Sequence, residues 1–119
     1  MPERPVLFFD ASCRFCRFVA RVLIRLDRRD RIAFLPLQDG EATRLLSDLT
    51  DAQRMASIHM VEPDGQSASA GAAFAALLGH LGVPRRPARL VGRLYGPGAR
   101  ARGIFGRLVP DGPAPRRYP

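Results

Sequence analysis

The sequence contains no lysine and no tryptophan, and it has only two cysteines and two histidines among its 119 residues. A chain of this length can bury an ordinary core without a metal or a disulfide staple. No apolar run approaches the roughly 18 residues that a membrane-spanning helix needs, and the four apolar residues before Asp10 are too few for a signal-peptide core. We therefore expect a cytoplasmic globular protein. In that compartment a close pair of cysteines serves catalysis or metal binding more often than structural bonding.

The absence of lysine means that every basic residue is arginine, which a GC-rich coding bias would explain. The net charge of +8 is unevenly distributed. Residues 1–84 hold ten arginines and ten acidic residues, whereas residues 85–119 hold nine arginines and one acidic residue, Asp111. A basic segment of this kind could favour nucleic acid or an anionic membrane as a partner. Its aromatics are few, so stacking on single strands is poorly supported, and its apolar residues suit packing or a membrane surface better than groove reading.

The N-terminal third predicts a strand followed by an amphipathic helix. Val6–Phe9 are four consecutive apolar residues, which is typical of a short buried strand. From Cys13 to Arg28, apolar residues recur at intervals of three and four, and arginines mark the opposite face. The pattern predicts a helix over this range, with Ser12 as its N-cap.

The following segments continue this alternation. We expect a strand at 31–37, a helical segment at 40–54 that breaks near 48–51, strands at 57–62 and 66–69, and a helix at 71–81. Thr50 or Ser47 could cap the second part of the broken helix. A helix between the first two strands implies that they are parallel, and the later hairpin adds antiparallel strands. The order β-α-β-α-β-β-α predicts an α/β fold of the thioredoxin-like type, a mixed sheet of about four strands flanked by helices.

Residues 85–119 are predicted to form a helical, basic extension of a thioredoxin-like domain that spans residues 1–84. From Pro84 onward, seven of 36 residues are proline and six are glycine. Two similar segments, 90–95 and 104–109, each predict a short helix packed on the core, separated by Gly96-Pro-Gly98; chance similarity is the alternative. Residues 111–119 are predicted to be a disordered end.

Cys13 and Cys16 form a CxxC motif at the predicted junction of the first strand and the first helix. This placement is used in thiol–disulfide exchange, which needs a thiolate. A helix N-terminus offers unpaired N–H groups and a partial positive charge that favour the anion at Cys13, and Arg14 and Arg17 add positive charge nearby. We expect Cys13 to attack a partner disulfide and Cys16 to resolve the mixed disulfide. Asp10 either accepts a proton from the resolving thiol or caps the helix.

The cysteine pair also fits two roles without redox exchange. A tetrahedral zinc site needs four ligands, and the other soft candidates are His59 and His80, which have no pairing motif. Alternatively, the two thiols are an inert pair of small core residues. We expect no metal and no cofactor, and we expect His59 to be a strand residue with ordinary packing.

The segment Asp10-Ala-Ser-Cys13-Arg-Phe-Cys16 behind an apolar strand resembles the DCC family of thioredoxin-like proteins, named for an Asp-x-x-Cys-x-x-Cys signature. The similarity covers about residues 5–110. It includes the segments 34–38, 57–61, 64–65 and 71–77. The resemblance implies thiol–disulfide oxidoreduction at Asp10, Cys13 and Cys16, acting on a disulfide-containing protein or a small-molecule thiol substrate.

The chain departs from related proteins in three places. Ala11 stands where DCC members commonly have glycine, which restricts φ at the turn. Residues 53–57 lack the cis-proline that faces the dithiol in thioredoxins, and the tryptophan of a typical thioredoxin site is missing. Either substrate docking differs from that of thioredoxin, or the protein is a weaker general reductase. An alternative function is a non-enzymatic thioredoxin-like module that binds a partner, with the cysteines as a redox sensor or vestigial.

Overall fold

The computed structural model describes residues 2–100 and 106–119, with side chains described for 2–94 and 106–119. The strands are β1 (Val6–Phe9), β2 (Ala33–Pro36), β3 (His59–Val61) and β4 (Ser67–Ser69). The helices are α1 (Arg14–Leu26), α2 (Gly40–Leu45), α3 (Asp51–Met55), α4 (Ala70–His80) and α5 (Arg85–Arg100). The strands form one mixed sheet in the order β2-β1-β3-β4, in which β1 is parallel to β2 and antiparallel to β3. The predicted α/β sheet flanked by helices is confirmed.

The central strand β1 is buried on both faces, which explains its uninterrupted apolar sequence. Leu7 and Phe9 point to one side, where α1 and α4 cover the sheet. Val6 and Phe8 point to the other side, where α2 and the residues after it cover it. The sheet therefore separates two apolar layers, and the carboxyl end of β1 is held firmly at the start of the loop that carries the cysteines.

The predicted break in the second helical segment is confirmed. Helix α2 ends at Leu45, and α3 begins after Thr50, whose side chain accepts a hydrogen bond from the Gln53 N–H. The Gln53 side chain in turn accepts from the Thr50 N–H, which completes a capping box. Of the two candidate caps, Thr50 is therefore the one that is used.

Helix α5 corrects the prediction of two short helices divided at Gly96-Pro-Gly98. One helix runs from Arg85 to Arg100 through all three of these residues. It packs against α4 at a point of direct backbone contact: a Cβ on Gly71 would lie 2.3 Å from the Gly92 carbonyl oxygen. The second predicted helix, 104–109, lies partly outside the described residues, and its described part, 106–109, consists of turns and a bend.

The C-terminal segment 110–119, in which residues 111–119 are predicted to be a disordered end, lies against the domain. The backbone of Arg117 pairs with Phe34 in an antiparallel bridge, with N–O distances of 2.8 and 2.9 Å. The Arg117 guanidinium also donates to the Ile32 carbonyl oxygen and forms an ion pair with the buried carboxylate of Asp27. These partners lie more than 80 residues away in sequence, so no local pattern around residue 117 reveals them.

Within the described residues, none of the helices combines the length and the apolar composition needed to cross a lipid bilayer.

Candidate active site

Cys13 is the N-cap of α1, where the sequence predicts Ser12. Its backbone is extended (φ −96°, ψ 118°), and its Sγ accepts a hydrogen bond from the Cys16 N–H at 3.3 Å. A helix N-terminus leaves such N–H groups without an intrahelical partner, so the sulfur takes the place of the usual capping oxygen. Both cysteines are partly exposed. Cys13 is the thiol that we expect to attack a partner disulfide. It lies at the positive end of the helix dipole, where solvent can reach it.

Ser12 has a different role because Asp10 holds it. The Asp10 Oδ1 accepts hydrogen bonds from the Ser12 N–H at 2.9 Å and from the Ser12 hydroxyl at 2.6 Å. The Asp10 carbonyl oxygen also accepts from the Cys13 N–H at 3.3 Å. Asp10 thus closes a tight turn between β1 and α1, and this turn presents Cys13 to the helix end.

Gln38 is a site residue that the sequence analysis does not identify. Its side-chain amide donates to the Asp10 Oδ1 at 2.8 Å, and its Oε1 accepts from the Ala11 N–H at 3.0 Å. The pairing of Phe9 with Pro36 brings the carboxyl ends of the parallel strands β1 and β2 side by side, which places Gln38 next to the cysteine turn. The sequence feature that could have identified Gln38 is its position as a polar residue just after the second parallel strand.

The turn also accommodates Ala11 without a glycine. The described non-glycine residues with a positive φ are Asp30 and Ala70, so Ala11 has an ordinary negative φ. A Cβ is therefore tolerated at this position, and the departure from the family's common glycine leaves the geometry of the turn unstrained.

Arg17 links the cysteine turn to the C-terminal segment. Its guanidinium donates to the Ala11 carbonyl oxygen at 2.7 Å, to the Gly112 carbonyl oxygen at 3.0 Å and to the Asp111 carboxylate at 2.8 Å. The hydrogen bond from Arg17, together with one from the Gly112 N–H, lowers the pKa of Asp111 from its usual 3.8. Arg21 adds hydrogen bonds to two further carbonyl oxygens of the same segment. Residues 110–113 are thus fastened along α1, the helix that carries both cysteines.

The hydrogen bonds given for the two histidines go to residues outside the cysteine turn. His59 is buried in β3, where Nε2 donates to the Gln53 and Arg54 carbonyl oxygens at 3.1 and 2.9 Å. His80 ends α4 and contacts the Glu62 carboxylate at 2.9 Å. Across residues 2–100 and 106–119, no three His, Cys, Asp or Glu side chains are grouped so that they could hold a metal ion. His59 instead fixes the backbone of the segment before β3, which is the segment without the cis-proline of thioredoxins.

A comparison with protein-family models gives a match to the DCC1-like thiol-disulfide oxidoreductase family over residues 7–108. The matched range includes both cysteines, β1 from Leu7 onward, the other three strands and helix α5. Comparisons with curated proteins and with solved structures give no significant match. The family match agrees with the Asp-x-x-Cys-x-x-Cys turn at the start of α1 and with the mixed sheet behind it. The chain belongs to the DCC1-like thiol-disulfide oxidoreductase family.

Proposed function

We propose that the protein exchanges the dithiol of Cys13 and Cys16 with disulfides of a protein or a small molecule. The Cys13 thiolate attacks one sulfur of the substrate disulfide, which forms a mixed disulfide and releases the other sulfur as a thiolate that takes up a proton. Cys16 then attacks the Cys13 sulfur and releases the second substrate thiol. Two electrons pass to the substrate, and the protein is left with a Cys13–Cys16 disulfide.

The observation that carries this proposal is the hydrogen bond from the Cys16 N–H to the Cys13 Sγ at 3.3 Å. At the N-cap, the Cys13 sulfur lies where the helix offers N–H groups and the positive end of its dipole to an acceptor. The first turn of α1 itself contains no acidic residue. Cys16 lies one turn further along the same helix, on the side of Cys13, and is partly exposed.

Asp10 supports the reaction, in this proposal, by shaping the turn. Its Oδ1 already accepts hydrogen bonds from Ser12 and Gln38, so the carboxylate acts as the fixed centre of the loop. The proton lost by the resolving thiol can then pass to solvent, which reaches both cysteines.

The direct test is to trap the mixed disulfide. A Cys16→Ser variant keeps the attacking thiol and lacks the resolving one, so it should accumulate a covalent adduct with a model disulfide such as oxidised glutathione or scrambled ribonuclease. Cys13→Ser is the matched control and should form no comparable adduct through Cys16. Equal adduct formation by the two variants, or none by either, would contradict the proposed roles.

The redox potential of the pair decides the direction of exchange. A potential near that of thioredoxin, about −270 mV, would indicate a reductase, and one near about −120 mV would indicate an oxidant. A non-enzymatic binding module makes a different prediction: partner binding would survive replacement of both cysteines by serine.

A further inference from the structure

Helix α5 has three distinct sides. Ala88 and Gly92 are buried against α4. Four arginines of the helix are exposed: Arg85, Arg86, Arg89 and Arg93. A stripe of apolar side chains is also exposed, with relative accessibilities of 58% at Leu90, 39% at Val91 and 61% at Leu94. Half of the exposed large apolar residues in the described part of the chain lie on this one helix. The described part of the fold leaves that stripe uncovered.

The two leucines of the apolar stripe point away from the protein. Successive residues of an α-helix are separated by about 100°, so Leu90 lies roughly 160° from both Ala88 and Gly92 around the axis. Leu94 lies roughly 160° from Gly92 by the same measure. Leu90 and Leu94 are one turn apart and form the centre of the stripe. A flat apolar surface could therefore meet Leu90 and Leu94 without any contact from the described body of the domain.

The four arginines lie on one side of this stripe, and the described part of the chain places no opposite charge beside them. Residues 85–100 contain no aspartate or glutamate. No carboxylate in the described part of the chain lies within ion-pair distance of the four exposed arginines. Arg86 and Arg93 lie about 40–100° around the axis from the two leucines, at the side of the stripe. An uncompensated cationic band thus borders an apolar one.

We propose that α5 docks on the surface of an anionic lipid membrane, with Leu90 and Leu94 inserted among the acyl chains and the arginines against the headgroups. An amphipathic helix with a cationic polar side and exposed leucines lies in the plane of such an interface. Nucleic acid would pair with the arginines and leave the leucines in water. A second copy of the chain, docked through the same stripe, would bring two sets of uncompensated arginines together, which costs free energy.

The experiment measures co-sedimentation of the full chain with vesicles. Vesicles of equal parts phosphatidylserine and phosphatidylcholine should bind the protein, and phosphatidylcholine alone should bind it weakly. Leu90→Ser with Leu94→Ser should weaken binding roughly a hundredfold, about tenfold for each leucine. Arg86→Gln with Arg93→Gln should weaken it about 25-fold, about fivefold for each arginine. Added salt should reduce binding further.

Helix α1 and the turn after it supply matched controls outside α5. Leu26 is exposed to 62%, as much as Leu94, so Leu26→Ser removes an equivalent leucine. Arg28→Gln with Arg29→Gln removes the same net charge from another exposed site. Both control proteins should bind vesicles as the wild type does, and circular dichroism verifies that every variant is folded.

Three results would overturn the proposal. The first is no preference for phosphatidylserine vesicles. The second is an equal loss of binding in the control variants, which would indicate attraction by net charge alone. The third is tight binding of a single-stranded oligonucleotide that needs the α5 arginines but not Leu90 and Leu94. None of these outcomes depends on the redox activity of the cysteine pair.

Discussion

The contact between Gly71 and Gly92 allows a direct test of how α5 packs against α4. A Cβ on Gly71 would lie 2.3 Å from the Gly92 carbonyl oxygen and 3.1 Å from its carbonyl carbon. Ordinary contacts of this kind begin at 3.4 Å, so Gly71→Ala requires the two helices to move apart by about 1 Å. The opposing group is backbone, which cannot rotate away as a side chain can. The substitution should therefore loosen the whole α4–α5 interface.

The expected cost is about 3 kcal/mol of unfolding free energy, the upper end of the range for overpacking. With a urea m-value of about 1.5 kcal/mol/M, the denaturation midpoint should fall by about 2 M. Gly79 provides the matched control, because it lies in the same helix and a Cβ there meets nothing within 4 Å. Gly79→Ala should raise stability by about 0.5–1 kcal/mol through helix propensity alone.

Gly92→Ala sharpens the test, since its Cβ would lie 2.6 Å from the Gly71 carbonyl oxygen. It should cost nearly as much as Gly71→Ala. The same separation of the helices relieves both clashes, so the double variant should lose clearly less than the sum of the single losses. If Gly71→Ala instead stabilises the protein as Gly79→Ala does, then α5 does not cross α4 at this glycine, and the outward direction of Leu90 and Leu94 loses its basis.

Three further predictions concern the cysteine turn and the C-terminal segment. Gln38→Leu removes two hydrogen bonds from the turn and should lower the unfolding free energy by about 1 kcal/mol; an unchanged urea midpoint would contradict its proposed role. Arg117→Met leaves a buried carboxylate without its cation and should cost about 2–3 kcal/mol, whereas the exposed neighbour Arg116→Met should cost under about 1 kcal/mol; equal costs would refute the distinction. Arg17 lowers the pKa of Asp111 from 3.8, so that pair's contribution is complete above pH 3.8 and is lost as the pH falls through the lowered pKa. The urea midpoint should therefore drop less steeply below pH 4 in Asp111→Asn than in the wild type.

Local patterns were enough to predict the strands and helices that position the site. The apolar run at Val6–Phe9 and the helical period after Cys13 both reflect contacts with a core that the segment itself helps to build. The break before Thr50 is equally local, because a capping box uses residues three positions apart. The two cysteines and Asp10 follow from the same junction of strand and helix. Their chemical roles are proposals that the trapping experiment addresses.

The wrong or missing predictions have physical causes that the local sequence pattern does not show. Ser12 is a good capping residue in general, but Asp10 binds its hydroxyl and leaves the cap to Cys13. Gly96-Pro-Gly98 is typical of a helix break, yet one helix passes through it. Gln38 reaches the cysteine turn only because β1 and β2 are parallel neighbours.

The bridge between Phe34 and Arg117 covers the outer edge of β2, the edge at which a strand of another copy of the protein could otherwise pair. The N–H groups of Ala33 and Leu37 point toward β1 and its flanking residue. Because backbone groups alternate in direction along a strand, those of Phe34 and Pro36 point outward, to the free edge of the sheet. The Phe34 N–H and carbonyl are both bonded to Arg117, and proline has no N–H to offer. The Ile32 carbonyl oxygen is occupied by the Arg117 guanidinium. An incoming strand therefore finds no free backbone group at Ile32 O or Phe34, and removal of residues 115–119 should expose these groups and promote edge-to-edge association of the protein.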